Sequence, residues 1–262
     1  MKEDKFFIDI LTLKGELIYR GYSESTCRIY ISTVKEFLEY TDKEIIRIRK
    51  EDVIRYLDKQ AEKLSKNTIL IKLNALELFF EEILGLDITE NIYKYKREYN
   101  NKIMSIKEIE TLIALSKPRE RLIYILMNET GIKSDEIKDI KVKDLKCIDN
   151  NNKWIIEAKN RKYNITTELA RDMYNYIEKY RLKEEIFLSS KKIGLHGSVI
   201  KKKFREKTTE LFGIKYGINE MRYGIALEMW KRGETEKVQE YLRNKSKQSI
   251  KQYLKRLGYN FD

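Results

Sequence analysis

The chain has 262 residues, 42% of them hydrophobic and 37% charged, with a formal net charge of +12. That length holds one large domain or two small ones, and a packed core is within reach. Two cysteines and one histidine argue against a disulfide framework, a zinc site and a Ser-His-Asp hydrolase.

No apolar run reaches the 18 residues of a membrane span, and the acid-containing N-terminus does not read as a signal peptide. A reducing cytoplasm fits best. The charge is uneven. Residues 1–100 carry 18 Lys and Arg against 19 Asp and Glu, whereas residues 101–262 carry 36 against 23. A basic second part is the footprint of a polyanion-binding surface.

In chain order, residues 3–20 predict a helix with an apolar stripe at Phe6, Phe7, Ile10, Leu11 and Leu13. Ser23 predicts the cap of a second helix, Glu24 to Tyr40, with Tyr30, Val34 and Phe37 on one face. Glu51 and Asp52 suit the first turn of a third, where acids face the positive end of the dipole. Ser65 opens a fourth, whose stripe of Ile69, Leu73, Leu76, Phe80 and Ile83 repeats at helical spacing until Gly85. Four such helices over residues 1–87 make a small bundle. Residues 88–103 are polar and weakly periodic, a linker in which Lys94, Lys96 and Arg97 are candidate phosphate contacts.

Helices are expected over Ser105–Leu115 and Arg121–Thr130. Residues 153–167 alternate as a β-hairpin around a polar turn at Asn160-Arg161, and a helix follows over 167–181. The run Lys201-Lys202-Lys203-Phe204-Arg205 sits on a further predicted helix and suits a phosphate-contacting face. The sole histidine, His196, lies in a glycine-flanked loop. The last stretch, GINEMRYGIALEMWKRGETEKVQEYLRNKSKQSIKQYLKRLG, reads as short helices broken at Arg232-Gly233.

Several phrases in this order resemble the tyrosine recombinases, the phage-integrase family. RGYSESTCRIYISTVKEFLEY, IRKEDVIRYLDKQ and LSKNTILIKLNALELFFEEILG are similar to its N-terminal core-binding bundle. Thr130-Gly-Ile-Lys-Ser-Asp-Glu136 resembles its Thr-Gly-x-Arg-x-x-Glu phrase. Ala158-Lys159-Asn160-Arg161-Lys162 stands where its hairpin lysine is expected. The C-terminal stretch resembles its His-x-x-Arg, Leu-Gly-His and Tyr block, as Asn219, Arg222, Leu242-Arg243-Asn244 and Tyr253.

The resemblance implies a mainly α protein: a SAM-like four-helix bundle, then a mixed α/β catalytic domain over 104–262 with a small β-hairpin sheet. It implies cleavage and rejoining of double-stranded DNA through a 3′-phosphotyrosyl intermediate, with no metal or other cofactor, by a tetramer assembled on paired sites. Tyr253 would be the nucleophile and Arg222 and Lys133 the phosphate ligands. Lys159 would be the general acid, with Lys162 its fallback. Asn219 and Asn244 occupy the two histidine positions. Three of these six keep the family's residue type. Lys133 keeps the charge of the expected arginine and loses its two-pronged donor set. The same three substitutions fit an alternative, a recombinase-derived protein that grips DNA without cutting it.

Overall fold

A computed structural model describes residues 6–96, 102–148, 153–191, 193–243 and 247–256. The chain divides into two compact units, Met1–Asn100 and Asn101–Asp262.

The first unit is helical. Its elements are α1 (Phe7–Tyr19), α2 (Glu24–Thr41), α3 (Lys50–Ala61) and α4 (Lys66–Glu77), the last continued by a π-helical turn over Leu78–Ile83. The caps follow the sequence: the Ser23 and Ser65 hydroxyls accept from the Thr26 and Thr68 amides. Asp52, in the first turn of α3, accepts from the Arg49 amide at 3.0 Å and from Lys43 at 2.7 Å. Apolar side chains from all four helices meet in one core, where Phe37 packs edge-on against Tyr56 and Phe80. The α1 stripe differs from expectation. Leu13 and Leu17 are buried, whereas Phe7 and Leu11 are exposed. The expected stripe is wider than the buried one: Phe6 and Leu13 belong to the core and Ile10 packs against it, while apolar side chains also occupy the outer face.

The second unit joins helices to a three-stranded antiparallel sheet of order β1-β2-β3, with β1 Leu145–Cys147, β2 Trp154–Ala158 and β3 Arg161–Ile165. Its helices are α5 (Ile106–Ala114), α6 (Pro118–Thr130), α7 (Ser134–Ile137), α8 (Thr167–Tyr180), α9 (Gly197–Phe212), α10 (Ile218–Lys231), α11 (Thr235–Leu242) and α12 (Lys247–Arg256). Ser105 and Glu108 form a reciprocal capping box on α5. The only proline, Pro118, opens α6, three residues before the predicted start, because a proline at the first helical position loses no hydrogen bond. Buried Leu122, Ile123, Tyr124, Leu126 and Met127 make α6 the central helix of this core.

The hairpin turn also differs from expectation. Ala158 pairs with Arg161, so the two turn residues are Lys159 and Asn160, with φ of 46° and 61°. Two positive φ values give the twist that a two-residue hairpin requires, and Asn tolerates that region well. Arg161 therefore belongs to β3. Among the described residues, no helix is long and apolar enough to cross a membrane.

Candidate functional site

The site is built where three segments meet the C-terminal end of α11. The first is the turn after α6. Gly131 has φ of 62°, and a β-carbon there would lie 2.2 Å from the Tyr241 carbonyl oxygen. Only glycine allows this approach. The Tyr241 hydroxyl donates to the Met127 carbonyl at 3.0 Å, fixing α11 against α6 from the other side. The second segment is α10. Arg222 is 7% exposed, and its Nη2 donates to the Tyr241 carbonyl at 3.2 Å. Its Nε is buried without a hydrogen-bond partner. Burial lowers the Arg222 pKa, and the nearby Arg243 charge adds to that.

The third segment is α7 with β3. Glu136 is buried and accepts from the Lys133 amide at 2.9 Å and from Arg243 Nη1 at 2.6 Å. The Tyr163 hydroxyl donates to the other Glu136 oxygen at 3.2 Å and accepts from Arg243 Nη2. The Arg243 guanidinium also lies over the Tyr163 ring, 5.0 Å from its centroid. Burial alone would push the Glu136 carboxyl up. The Lys133 amide, Arg243 and Tyr163 together hold it below its ordinary value. Burial pushes the Tyr163 hydroxyl up to about 12, against the opposing pull of Arg243.

A depressed carboxyl contributes stability that is present above its ordinary pKa of about 4.3 and lost as pH falls through its lower folded value. Thermal melts from pH 7 downward should therefore hold a plateau to about pH 4.5 and then fall. The Glu136→Gln variant should start lower and fall less over the same limb. Parallel curves for the two proteins would remove Glu136 from the acid limb.

A cleft of about 390 Å³ opens beside this network, lined by Thr130, Arg161, Lys162, Tyr163, Tyr241 and Arg243 among others. The predicted residues distribute around it unevenly. Lys162 lines the cleft. Lys159 lines the adjoining one, with Asp139 at 3.8 Å. Lys133 supplies its backbone to Glu136 while its side chain is exposed. Asn219 is exposed in the first turn of α10, one turn before Arg222. Asn244 and Arg97 lie outside the described residues, and Tyr253 is described only by its backbone, on α12, where Leu254 is buried.

The basic run on α9 splits into two faces around buried Phe204. Lys201 pairs with Asp135 at 3.0 Å and Lys203 with Glu120 at 2.7 Å, both within the unit's own surface. Lys202 and Arg205 are exposed and line a separate surface cleft with Lys215. In the first unit, Lys94 pairs with Glu77 at 2.9 Å and Lys96 is exposed. Sequence reasoning missed Arg243 and Tyr163 as site residues. A long basic side chain directly after the last leucine of a helix, where glycine is the common residue, was the available signal.

A family profile described as phage integrase, N-terminal SAM-like domain, matches residues 11–90. A tyrosine recombinase from Pseudothermotoga lettingae is 27% identical over 233 residues, which cover 82% of this chain and 81% of that protein. Tyrosine recombinase XerA from Saccharolobus solfataricus is 24% identical over 187 residues, 65% of this chain and 64% of that one. The solved structure of a lambda integrase tetramer bound to a Holliday junction matches with a TM-score of 0.76 at 17% identity, covering 98% of this chain and 79% of that one. The fold is thus of the lambda-integrase type: a helical bundle followed by a mixed α/β unit. The chain is similar to the tyrosine recombinases in its N-terminal bundle and over most of its length.

Proposed function

We propose that the protein is a site-specific DNA recombinase that cleaves and rejoins double-stranded DNA, working as an oligomer on paired sites. The likeness to tyrosine recombinases supports the reaction class, and the DNA complexes of its structural neighbours support the partner. The observation that carries the reading is Arg222. A buried guanidinium with one carbonyl partner and an orphaned Nε is costly for folding alone. It is well suited to an incoming phosphate oxygen, because a preorganised donor in a low-dielectric site stabilises charge without reorganising.

In this reading the Tyr253 hydroxyl gives up its proton to solvent water as its oxygen attacks the phosphorus of the scissile phosphodiester. Negative charge grows on the non-bridging oxygens, where Arg222 stabilises it. The P–O bond to the 5′-oxygen breaks as that oxygen takes a proton from a hairpin lysine, Lys159 or its neighbour Lys162. The product is a 3′-phosphotyrosyl link and a free 5′-hydroxyl, and attack by a 5′-hydroxyl of another strand reverses the step. Asn219 and Asn244 would donate hydrogen bonds to phosphate oxygens without moving a proton. Lys96, Arg97, Lys202 and Arg205 would hold the backbone on either side, and Lys94 only by leaving Glu77. Lys201 and Lys203 would join them only by leaving their carboxylate partners.

The exposed Lys133 side chain favours the second reading, in which the chain binds DNA without cutting it. One experiment separates the two. Incubate the protein with nicked duplexes drawn from the DNA flanking its gene, and look for an adduct that survives denaturing detergent. We expect an adduct in the wild type and none with Tyr253→Phe, while both proteins shift the same duplex in a gel. Tight binding with no adduct on any bound duplex would establish the binding-only protein.

A further inference from the structure

We propose that Arg243 supplies the second guanidinium of the phosphate site, in the place left by the lysine at position 133. The inference rests on the recombinase reading and names a residue that the family's motif does not assign.

Arg243 follows α11 with a φ of 57°, the left-handed region that a β-carbon disfavours. Glycine would sit there without strain. Asp42 and Arg181 close α2 and α8 in the same conformation, so what is particular to Arg243 is not its backbone but how its guanidinium is held. The bonds are those of a closed ring. Nη1 donates to Glu136, Nη2 donates to the Tyr163 hydroxyl, and that hydroxyl donates to Glu136 in turn. The ring holds the planar fork in one orientation. Two of the five guanidinium N–H groups are thereby engaged, which leaves donors for a further acceptor. Arg243 also lines the 390 Å³ cleft together with Arg161 and Lys162.

The placement relative to Arg222 completes the case. Tyr241, whose carbonyl holds Arg222, lies two residues before Arg243 on the same turn. Arg243 is bonded to Glu136, and the charges of both act on Arg222, the first unfavourably and the second favourably. One carboxylate against two guanidiniums leaves the cluster one positive charge in excess, and a phosphodiester would balance it. Lys133 takes no such part: it gives Glu136 a backbone amide and leaves its side chain exposed. The expected arginine has thus been displaced along the sequence and returned in space to the same carboxylate.

The test uses the full chain and the same nicked duplexes. Arg243→Gly should slow adduct formation about 100- to 1000-fold, as for loss of one oriented donor. Arg243→Lys keeps the charge opposite Glu136, so it should fold, and it should lose a similar factor because the fork is gone. Returning the guanidinium in the double variant R243G/K133R should recover at least about tenfold of the R243G loss, within the range one donor supplies. In a Tyr253→Phe background, Arg243→Gly should lower the salt slope of duplex binding by about one phosphate contact. An R243K rate within about threefold of wild type, or an unchanged salt slope in R243G, would assign Arg243 to structure alone and overturn the proposal. If the wild type forms no adduct, the cleavage reading fails, and the salt slope still decides whether Arg243 touches phosphate.

Discussion

Arg222→Met should raise the melting temperature while slowing cleavage about 100- to 1000-fold. The two effects have one cause. Arg222 is 7% exposed, holds one carbonyl and carries an orphaned Nε. It also stands beside a second guanidinium whose charge disfavours its own. Replacing an imperfectly paired buried charge with an apolar side chain of similar length is commonly neutral or stabilising, by about 1–2 kcal/mol here. In a unit of this size that is roughly 2–8 °C of melting temperature. The adduct rate should fall about 100- to 1000-fold, since the oxygen that gains charge loses its preorganised donor. Melting and adduct rate moving in opposite directions would mark a residue retained for function at the expense of stability. A fall in melting temperature with cleavage intact would make Arg222 a structural arginine and remove the central support of the proposed activity.

The second large effect should come from a residue that touches no DNA. Gly131→Ala places a β-carbon 2.2 Å from the Tyr241 carbonyl oxygen and about 3.0 Å from its ring, at a φ of 62°. The neighbour is backbone and cannot swing aside. Strain and overpacking together should cost about 3 kcal/mol. Any relief must come from displacing the end of α11, which carries the acceptor of Arg222 and the whole of Arg243. Cleavage should therefore be lost even below the melting temperature. Gly213→Ala is the control, with a φ of 67° and open space around the added atom. It should cost about 1 kcal/mol and leave cleavage intact. Equal melting temperatures for the two variants would show that the Tyr241 approach is looser than 2.2 Å implies.

The sequence made the helix starts legible, and for a physical reason. Ser23, Ser65 and Ser105 each announce a helix, because a hydroxyl there satisfies an amide that the helix leaves bare. Strand detail was less legible. β1 is Leu145–Cys147, too short to show alternation, and its existence depends on pairing with Trp154–Ile156. The hairpin turn moved by one residue because its register is set by Ile156 and Tyr163 facing the core, not by the turn residues themselves. At the site, the one-dimensional order named Arg222 and the hairpin lysines as candidates, and Arg222 meets the end of α11 while Lys162 lines the cleft. It could not show that a residue 107 positions from Glu136 would close onto that carboxylate. Such a pairing is a fact of tertiary structure. The motif directed attention to the lysine at 133 and away from the arginine at 243.

The long reach of those contacts has a consequence for when the protein becomes dangerous to DNA. Tyr241 meets Met127 across 114 positions, and Arg243 meets Tyr163 across 80. Closing loops of that length is entropically late in folding. A chain whose second unit has not closed lacks the ring that orients the Arg243 guanidinium. On the proposed activity, strand scission would wait until the second unit is whole. The fold itself acts as a safety catch on a potential genome-breaking activity.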